Sequence, residues 1–272
     1  MAGLGWINGK TYSVEYRRGD GRIERLASAA AELARLPADV IVAPGTAEAL
    51  AAKSATRTVP IVIAGVDEPV ARGLVASLAR PGRNITGVAG ARRDLCAKLL
   101  ARIREVIPGS ARVAVLSDPT DPDHRILLGD LRVAARTLTM SLNSVEVQQY
   151  TEVEPAFATM KRQGNKALIV PPSTMLVPRW IADLALTHGL ALASTSPAYA
   201  YEGGLIAYSY DWNAVYERVA AFVDKILKGA KPDELAVELP AKFKLIVNAR
   251  TARALKLGGA QSILARADAV IE

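Results

Sequence analysis

The residue types that carry catalysis or metal binding are sparse in this chain, which holds one cysteine, Cys96, and two histidines, His124 and His188. A single thiol makes no internal disulfide, and with no CxxC or Cys/His cluster there is no ligand set for a structural zinc. His124 follows an acidic turn and His188 sits at a helix end before Gly189. Neither is framed by a nucleophile and an orienting acid. Cys96 falls inside the apolar stripe of a helix and reads as a small core residue. There is no GxGxxG after a strand and no GxxxxGK loop followed by Ser or Thr, which removes the usual dinucleotide and nucleoside-triphosphate readings. The inventory points to binding rather than catalysis, with no cofactor and no metal.

What remains are small polar groups in loops. Gly45 and Thr46 follow Val42-Ala43-Pro44 and lead into Glu48-Ala49-Leu50. Glycine permits close backbone approach, and the N–H groups of a helix start can take a carboxylate or phosphate. Thr46 reads equally as an N-cap whose hydroxyl satisfies one of those amides. Asp67 precedes Glu68-Pro69, with the proline suited to a first helical turn, so Asp67 is both a cap and a candidate partner for a ligand ammonium. Ser117, Asp118, Pro119, Thr120, Asp121, Pro122 and Asp123 end a predicted strand; their plainest reading is a rigid turn whose Asx side chains bond their own backbone. Val170-Pro171-Pro172-Ser173-Thr174 is expected to lead into a helix at Met175-Leu176, and Ser194-Thr195 opens a polar and aromatic stretch. Tyr199, Tyr201, Tyr208 and Tyr210 follow closely. They either wall a pocket for a flat or apolar ligand or cover helix and sheet edges.

Periodicity indicates the elements that must position these groups. Short β-branched runs recur at 40–42, 61–63, 85–88, 113–116, 145–147, 168–170 and 205–207, and 12–16 alternates as one more strand. Between them lie apolar stripes at helical spacing: Ile23, Leu26, Ala30 and Leu33; Leu95, Leu99, Ile103 and Val106; Val215, Val219, Phe222 and Ile226. This is the pattern of βα units and parallel sheets buried on both faces. There are too many strands for one compact sheet, which suggests two. Irregular zones after 88 and around 208–212 mark the boundaries between them.

Composition narrows the class. The chain has 272 residues, half of them hydrophobic and 22% charged, values of a packed globular protein rather than a disordered, collagen-like or coiled-coil one. No apolar run approaches the roughly 20 residues of a membrane span. The formal charge is +7, but the basic residues are spread over helices and not interleaved with aromatics, so nucleic acid is not an expected partner. Residues 1–9 show no basic n-region, long apolar stretch or cleavage site, so the chain as written reads as cytosolic or leaderless.

A family resemblance rests on particular runs. These are Ala-Asp-Val-Ile-Val-Ala-Pro-Gly-Thr-Ala-Glu-Ala-Leu-Ala-Ala-Lys at 38–53, Val-Pro-Ile-Val at 59–62, Asp-Glu-Pro-Val at 67–70 and Leu-Ala-Arg-Pro-Gly-Arg-Asn-Ile-Thr-Gly-Val at 78–88. With Leu-Pro-Ala-Lys-Phe-Lys-Leu-Ile-Val-Asn at 239–248 and Leu-Ala-Arg-Ala-Asp at 264–268, the chain resembles the substrate-binding proteins of ABC uptake systems, in the tryptophan/tyrosine-binding group. The resemblance implies an α/β, type I periplasmic-binding-protein fold: two Rossmann-like lobes with parallel sheets, 1–88 plus 210–236 and 89–209 plus 237–272, joined by a multi-crossover hinge. It implies that a small amino-acid-like or aromatic ligand is trapped in the inter-lobe cleft and handed to an ABC permease in the membrane. Gly45 and Thr46 would receive the ligand's carboxylate, with Asp67 in the matching loop of the same lobe. Ser173, Thr174, Ser194 and Thr195 would approach from the other lobe, departing from the acidic or aromatic residues expected there. Ser117, Asp118 and Tyr208 complete the candidate set.

The resemblance also implies a signal or lipoprotein peptide and a first βα unit ahead of residue 4, which the chain as written lacks. The expectation is then an open sheet edge that invites a homodimer or strand exchange. A periplasmic or outer-face location follows from the family, and a cytoplasmic one from the chain as written. Two other classes are a cytosolic effector-binding sensor or regulator core of the same fold, disfavoured by the absence of a helix-turn-helix, and a Rossmann-like enzyme, which would need a cofactor site not found here.

Overall fold

In a computed structural model the described residues are all but Asp20, Gly21, Ser110, Ala111 and Thr174, and the side chains of Ile23 and Pro122. Strands and helices alternate in the order α1 (Ile23–Arg35), β1 (Ile41–Pro44), α2 (Thr46–Ala55), β2 (Ile61–Val66), β3 (Ile85–Ala89), α3 (Arg92–Val106), β4 (Arg112–Ser117), α4 (Pro122–Thr137), β5 (Ser141–Glu146) and α5 (Tyr150–Arg162). They continue as β6 (Ala167–Ile169), α6 (Pro178–Thr187), β7 (Ala191–Ser194), α7 (Pro197–Tyr201), β8 (Ile206–Tyr210), α8 (Trp212–Leu227), β9 (Phe243–Asn248), α9 (Ala249–Ala254), α10 (Ala260–Leu264) and β10 (Ala269–Ile271). The chain divides into two units, Met1–Ala91 with Tyr210–Lys242 and Arg92–Ser209 with Phe243–Glu272, and so passes between them three times. It is an α/β fold built on parallel pairing.

The first unit carries a parallel sheet of order β1-β2-β3. Its middle strand begins Ile61-Val62-Ile63-Ala64, and all four residues are fully buried, as a strand covered on both faces requires. Beyond β3 the sheet is extended by residues 235–238. Glu238 N–H donates to the Gly87 carbonyl at 2.9 Å, Ala89 N–H donates to the Glu238 carbonyl at 2.8 Å, and the Thr86 hydroxyl donates to the Leu235 carbonyl at 2.7 Å. At the other edge, the outer side of β1 borders a groove of about 410 Å³ between α1 and α2. The strand expected at 12–16 does not form. Tyr12 makes an isolated bridge with Asn8, and residues 13–18 are exposed, because alternation produces a strand only where a ladder partner stands alongside.

The second unit carries a seven-stranded sheet of order β10-β9-β8-β7-β6-β4-β5. The order reverses around β4, which pairs in parallel with both β5 and β6. One core is built from Leu116, Val153, Phe157, Met160, Leu168, Ile181, Leu192 and Tyr199. The helical stripes behave as their spacing requires: Leu95, Leu99, Ile103 and Val106 are buried on α3 together with Cys96, and Val215, Val219, Phe222 and Ile226 are buried on α8 in the first unit. Periodicity did not reveal β7, β9 or β10, and it placed the strand at 141–146 several residues late. β7 reads Ala-Leu-Ala-Ser, too short and too poor in β-branched residues to signal itself.

Two positions impose testable constraints. Gly87 in β3 has φ 129°, and a Cβ there would stand 2.6 Å from the Ile63 nitrogen and closer still to its carbonyl oxygen. Gly87→Ala therefore combines disallowed backbone geometry with overpacking between two buried strands, and is expected to cost about 3–5 kcal/mol in chemical denaturation. A loss no larger than that of an exposed substitution would contradict this. Tyr199 is fully buried, and its hydroxyl donates to the Leu176 carbonyl at 2.7 Å. Burial pushes its phenol above the ordinary tyrosine value. The fold thus favours the neutral form: this contribution is complete below about pH 10 and is lost as pH rises further. Ultraviolet titration should show a tyrosine fraction that ionises only as the fold opens, and Tyr199→Phe should reduce that fraction by one residue. All tyrosines ionising together near pH 10 in the folded chain would refute it.

Candidate functional site

In open parallel sheets, ligands meet the loops at the carboxyl ends of the strands, above all where strand order reverses. In the second unit β4, β6 and β7 are parallel neighbours, so Ser117 and Asp118, Ser173, and Ser194 and Thr195 are delivered to one edge of the sheet. The loops after β4 and β6 flank the reversal. Asp118 Oδ1 accepts from the Thr120 N–H at 2.8 Å and hydroxyl at 2.6 Å, the Asx turn its sequence implies. Its own N–H donates to His124 Nδ1 at 2.9 Å. With Nδ1 accepting, the imidazole proton sits on Nε2 and is donated to the Pro172 carbonyl at 2.9 Å. Buried His124 thus joins the two loops, a role invisible in sequence because its partner lies 48 positions away.

The hydroxyls fare unequally. Ser194 is fully buried. Its Oγ donates to the Val170 carbonyl at 2.7 Å and accepts from Ser196 N–H at 3.1 Å, so it holds two strand ends together. Ser117 is also buried. The Ser173 Oγ accepts from Met175 and Leu176 N–H at 3.1 and 3.2 Å. That turn delays the helix expected at Met175 until Pro178. Thr195 is half-buried at the edge, and Thr174 lies outside the described residues. Tyr208 is packing: 9% exposed, it stacks on Phe243 at 5.9 Å and 7°, while Lys98 Nζ lies 4.3 Å from the Phe243 ring centroid. Tyr199 and Tyr208 serve the second unit's interior, Tyr201 is exposed, and Tyr210 belongs to the first unit.

In the first unit Gly45 is the N-cap of α2 with φ 102°, and Thr46 is the first helical residue without a side-chain capping bond. The Glu48 carboxylate folds back so that its Oε2 is 2.7 Å from the place a Gly45 Cβ would occupy. The positive helix end thus already has a protein carboxylate beside it, with which an anionic ligand would compete. Asp67 directly follows β2, but no helix follows it. Glu68 adopts φ 50°, and the chain continues in turns closed by Arg72 N–H to the Glu68 carbonyl and Leu74 N–H to the Pro69 carbonyl, at 3.0 and 2.8 Å. The Tyr210 hydroxyl accepts from Ala91 N–H at 2.7 Å and donates to Asp67 Oδ1 at a long 3.4 Å. Sequence reading passed over Trp212, which lies against Gly65 at the end of β2 and is 37% exposed. The available signal was the Asp211-Trp212 junction in an irregular zone ahead of a strongly periodic helix.

Among the described residues no helix is long and apolar enough to cross a membrane, and no three His, Cys, Asp or Glu are grouped to hold a metal ion. A tyrosine-binding protein of Clostridioides difficile strain R20291 is 21% identical over 257 residues, 93% of this chain and 73% of that protein. Among solved structures, a conserved domain protein from Vibrio cholerae superposes with a TM-score of 0.88 at 22% identity, covering 99% of this chain and 90% of that one. An ABC domain in complex with L-Trp from Streptococcus pneumonia does so at 0.86 and 20% identity, covering 99% and 92%. At those identities the likeness establishes the fold, that of the type I periplasmic binding proteins. The model of the family described as ABC transporter substrate binding protein matches residues 1–271, and this chain belongs to that family of solute-binding components of ABC-type uptake systems.

Proposed function

We propose that this chain binds an amino-acid-like or aromatic solute without chemically altering it and passes it to an ABC permease, acting outside the cytoplasmic membrane. The observation that carries the reading is the family match across 1–271. The tyrosine and tryptophan named for its relatives support the ligand class. Within the second unit we assign solute contact to Asp118, Ser173 and Thr195, which flank or adjoin the reversal in strand order. In the first unit we assign it to Asp67 and the aromatic surface beside it. Ser117 and Ser194 lie buried at the strand ends beneath these loops, and Tyr208 stacks on Phe243. Selection operates through affinity: the solute stabilises the conformation that binds it better.

Isothermal titration with L-tyrosine, L-tryptophan, L-phenylalanine and the branched amino acids is expected to give saturable one-to-one binding for at least one of them. The solute should be recovered unchanged after prolonged incubation. Binding to none of them would sink the amino-acid reading, and conversion of the solute would sink the binding-only reading.

A further inference from the structure

We propose that Trp212 is the residue that selects the solute's side chain, an aromatic or other flat apolar group laid against the exposed part of its indole. This rests on the solute-binding reading above and names the contact within it that sets the ligand class. Trp212 is placed with little freedom. It is the first residue of α8, and the preceding Asp211 caps that helix by accepting from Asn213 and Ala214 N–H at 3.1 and 3.4 Å. Asp211 is itself anchored by its N–H to the Lys242 carbonyl at 3.0 Å. The ring is held from three sides. Tyr210 meets it edge-on, with centroids 5.5 Å apart and planes at 83°. Tyr216, one turn along α8, lies 6.0 Å away at 34°. Gly65 makes room on the third side, where a Cβ would come within 2.8 Å of the indole Cη2.

The result is an indole drawn over the carboxyl end of β2, where ligands of parallel sheets bind, yet left partly open. Tyr216 beside it is 47% exposed. A preordered aromatic face costs little entropy to use and favours offset or edge contacts with another ring. Asp67 reaches the same cluster through Tyr210, whose hydroxyl donates to Asp67 Oδ1 while its ring meets the indole edge-on, so a carboxylate belongs to the aromatic surface. A solute with a flat apolar end and an amine end would meet both.

The test compares wild type, Trp212→Leu and Trp212→Phe in titrations with L-tryptophan, L-tyrosine, L-phenylalanine and L-leucine. Trp212→Leu keeps an apolar group and removes the flat face; affinity for the aromatic amino acids should fall about tenfold relative to L-leucine. Trp212→Phe should retain most of the preference. With L-phenylalanine and tryptophan-selective excitation, the binding-induced fluorescence change should vanish in Trp212→Phe even though Trp6 and Trp180 remain. An unchanged aromatic-to-leucine ratio in Trp212→Leu, an equal loss for every ligand, or an undiminished fluorescence change in Trp212→Phe would each overturn the proposal while leaving the solute-binding reading intact. Failure of wild type to bind any of the four would instead remove the reading beneath it.

Discussion

Parallel pairing is the constraint on which the rest of this molecule depends. Parallel strands cannot be joined by a tight hairpin, so each must be followed by a crossover, and every carboxyl end in a sheet then falls on the same edge. Loops that are far apart in sequence become neighbours without any one of them being specialised. The loops after β4, β6 and β7 meet in this way, and their own polar atoms must be satisfied before any can be offered to a ligand. His124, Ser194 and Tyr199 do that work by bonding to the Pro172, Val170 and Leu176 carbonyls. A binding surface of this kind is two layers deep: a buried layer that fixes the loops, and a thin outer layer whose side chains have something left to give.

That layering explains what could be read from the amino acids and what could not. The parallel α/β class followed from β-branched runs separated by helical stripes, because both are local patterns with a period. The stripes on α3 and α8 were legible for the same reason. A hydroxyl's role is different. Ser194 and Thr195 are adjacent and chemically alike, yet one is fully buried and bonded to a carbonyl 24 residues away, and the other stands half-buried at the edge. Nothing in their neighbours distinguishes them. Likewise Tyr208 and Tyr210 alternate onto the same side of β8, but one ends on Phe243 and the other on Ala91 and Asp67, contacts set by segments far away in the chain.

Glycine tells a related story. Its smallness was legible at Gly45, where the next residues announce a helix, but the structure fills that space with the Glu48 carboxylate. At Gly65 the same smallness admits the indole of Trp212, 147 positions on, and no local pattern foretells it. Helix starts carry their meaning in the sequence; close approaches between distant segments do not. The candidate site was therefore visible as a set of loops and invisible as a set of side chains.

The seam between Thr86 and Leu235 has a bearing on how the chain is made. The two residues are 149 positions apart, and the intervening chain includes most of the second unit. At a synthesis rate of roughly 5–20 residues per second, the outer side of β3 waits about 7–30 seconds for the segment that covers it. During that interval a buried-type strand, Ile-Thr-Gly-Val-Ala, presents unpaired N–H and C=O groups to whatever is nearby. The first unit, although its three strands leave the ribosome first, cannot complete its sheet until most of the second unit has been made, and the nascent chain carries an adhesive edge for most of its synthesis.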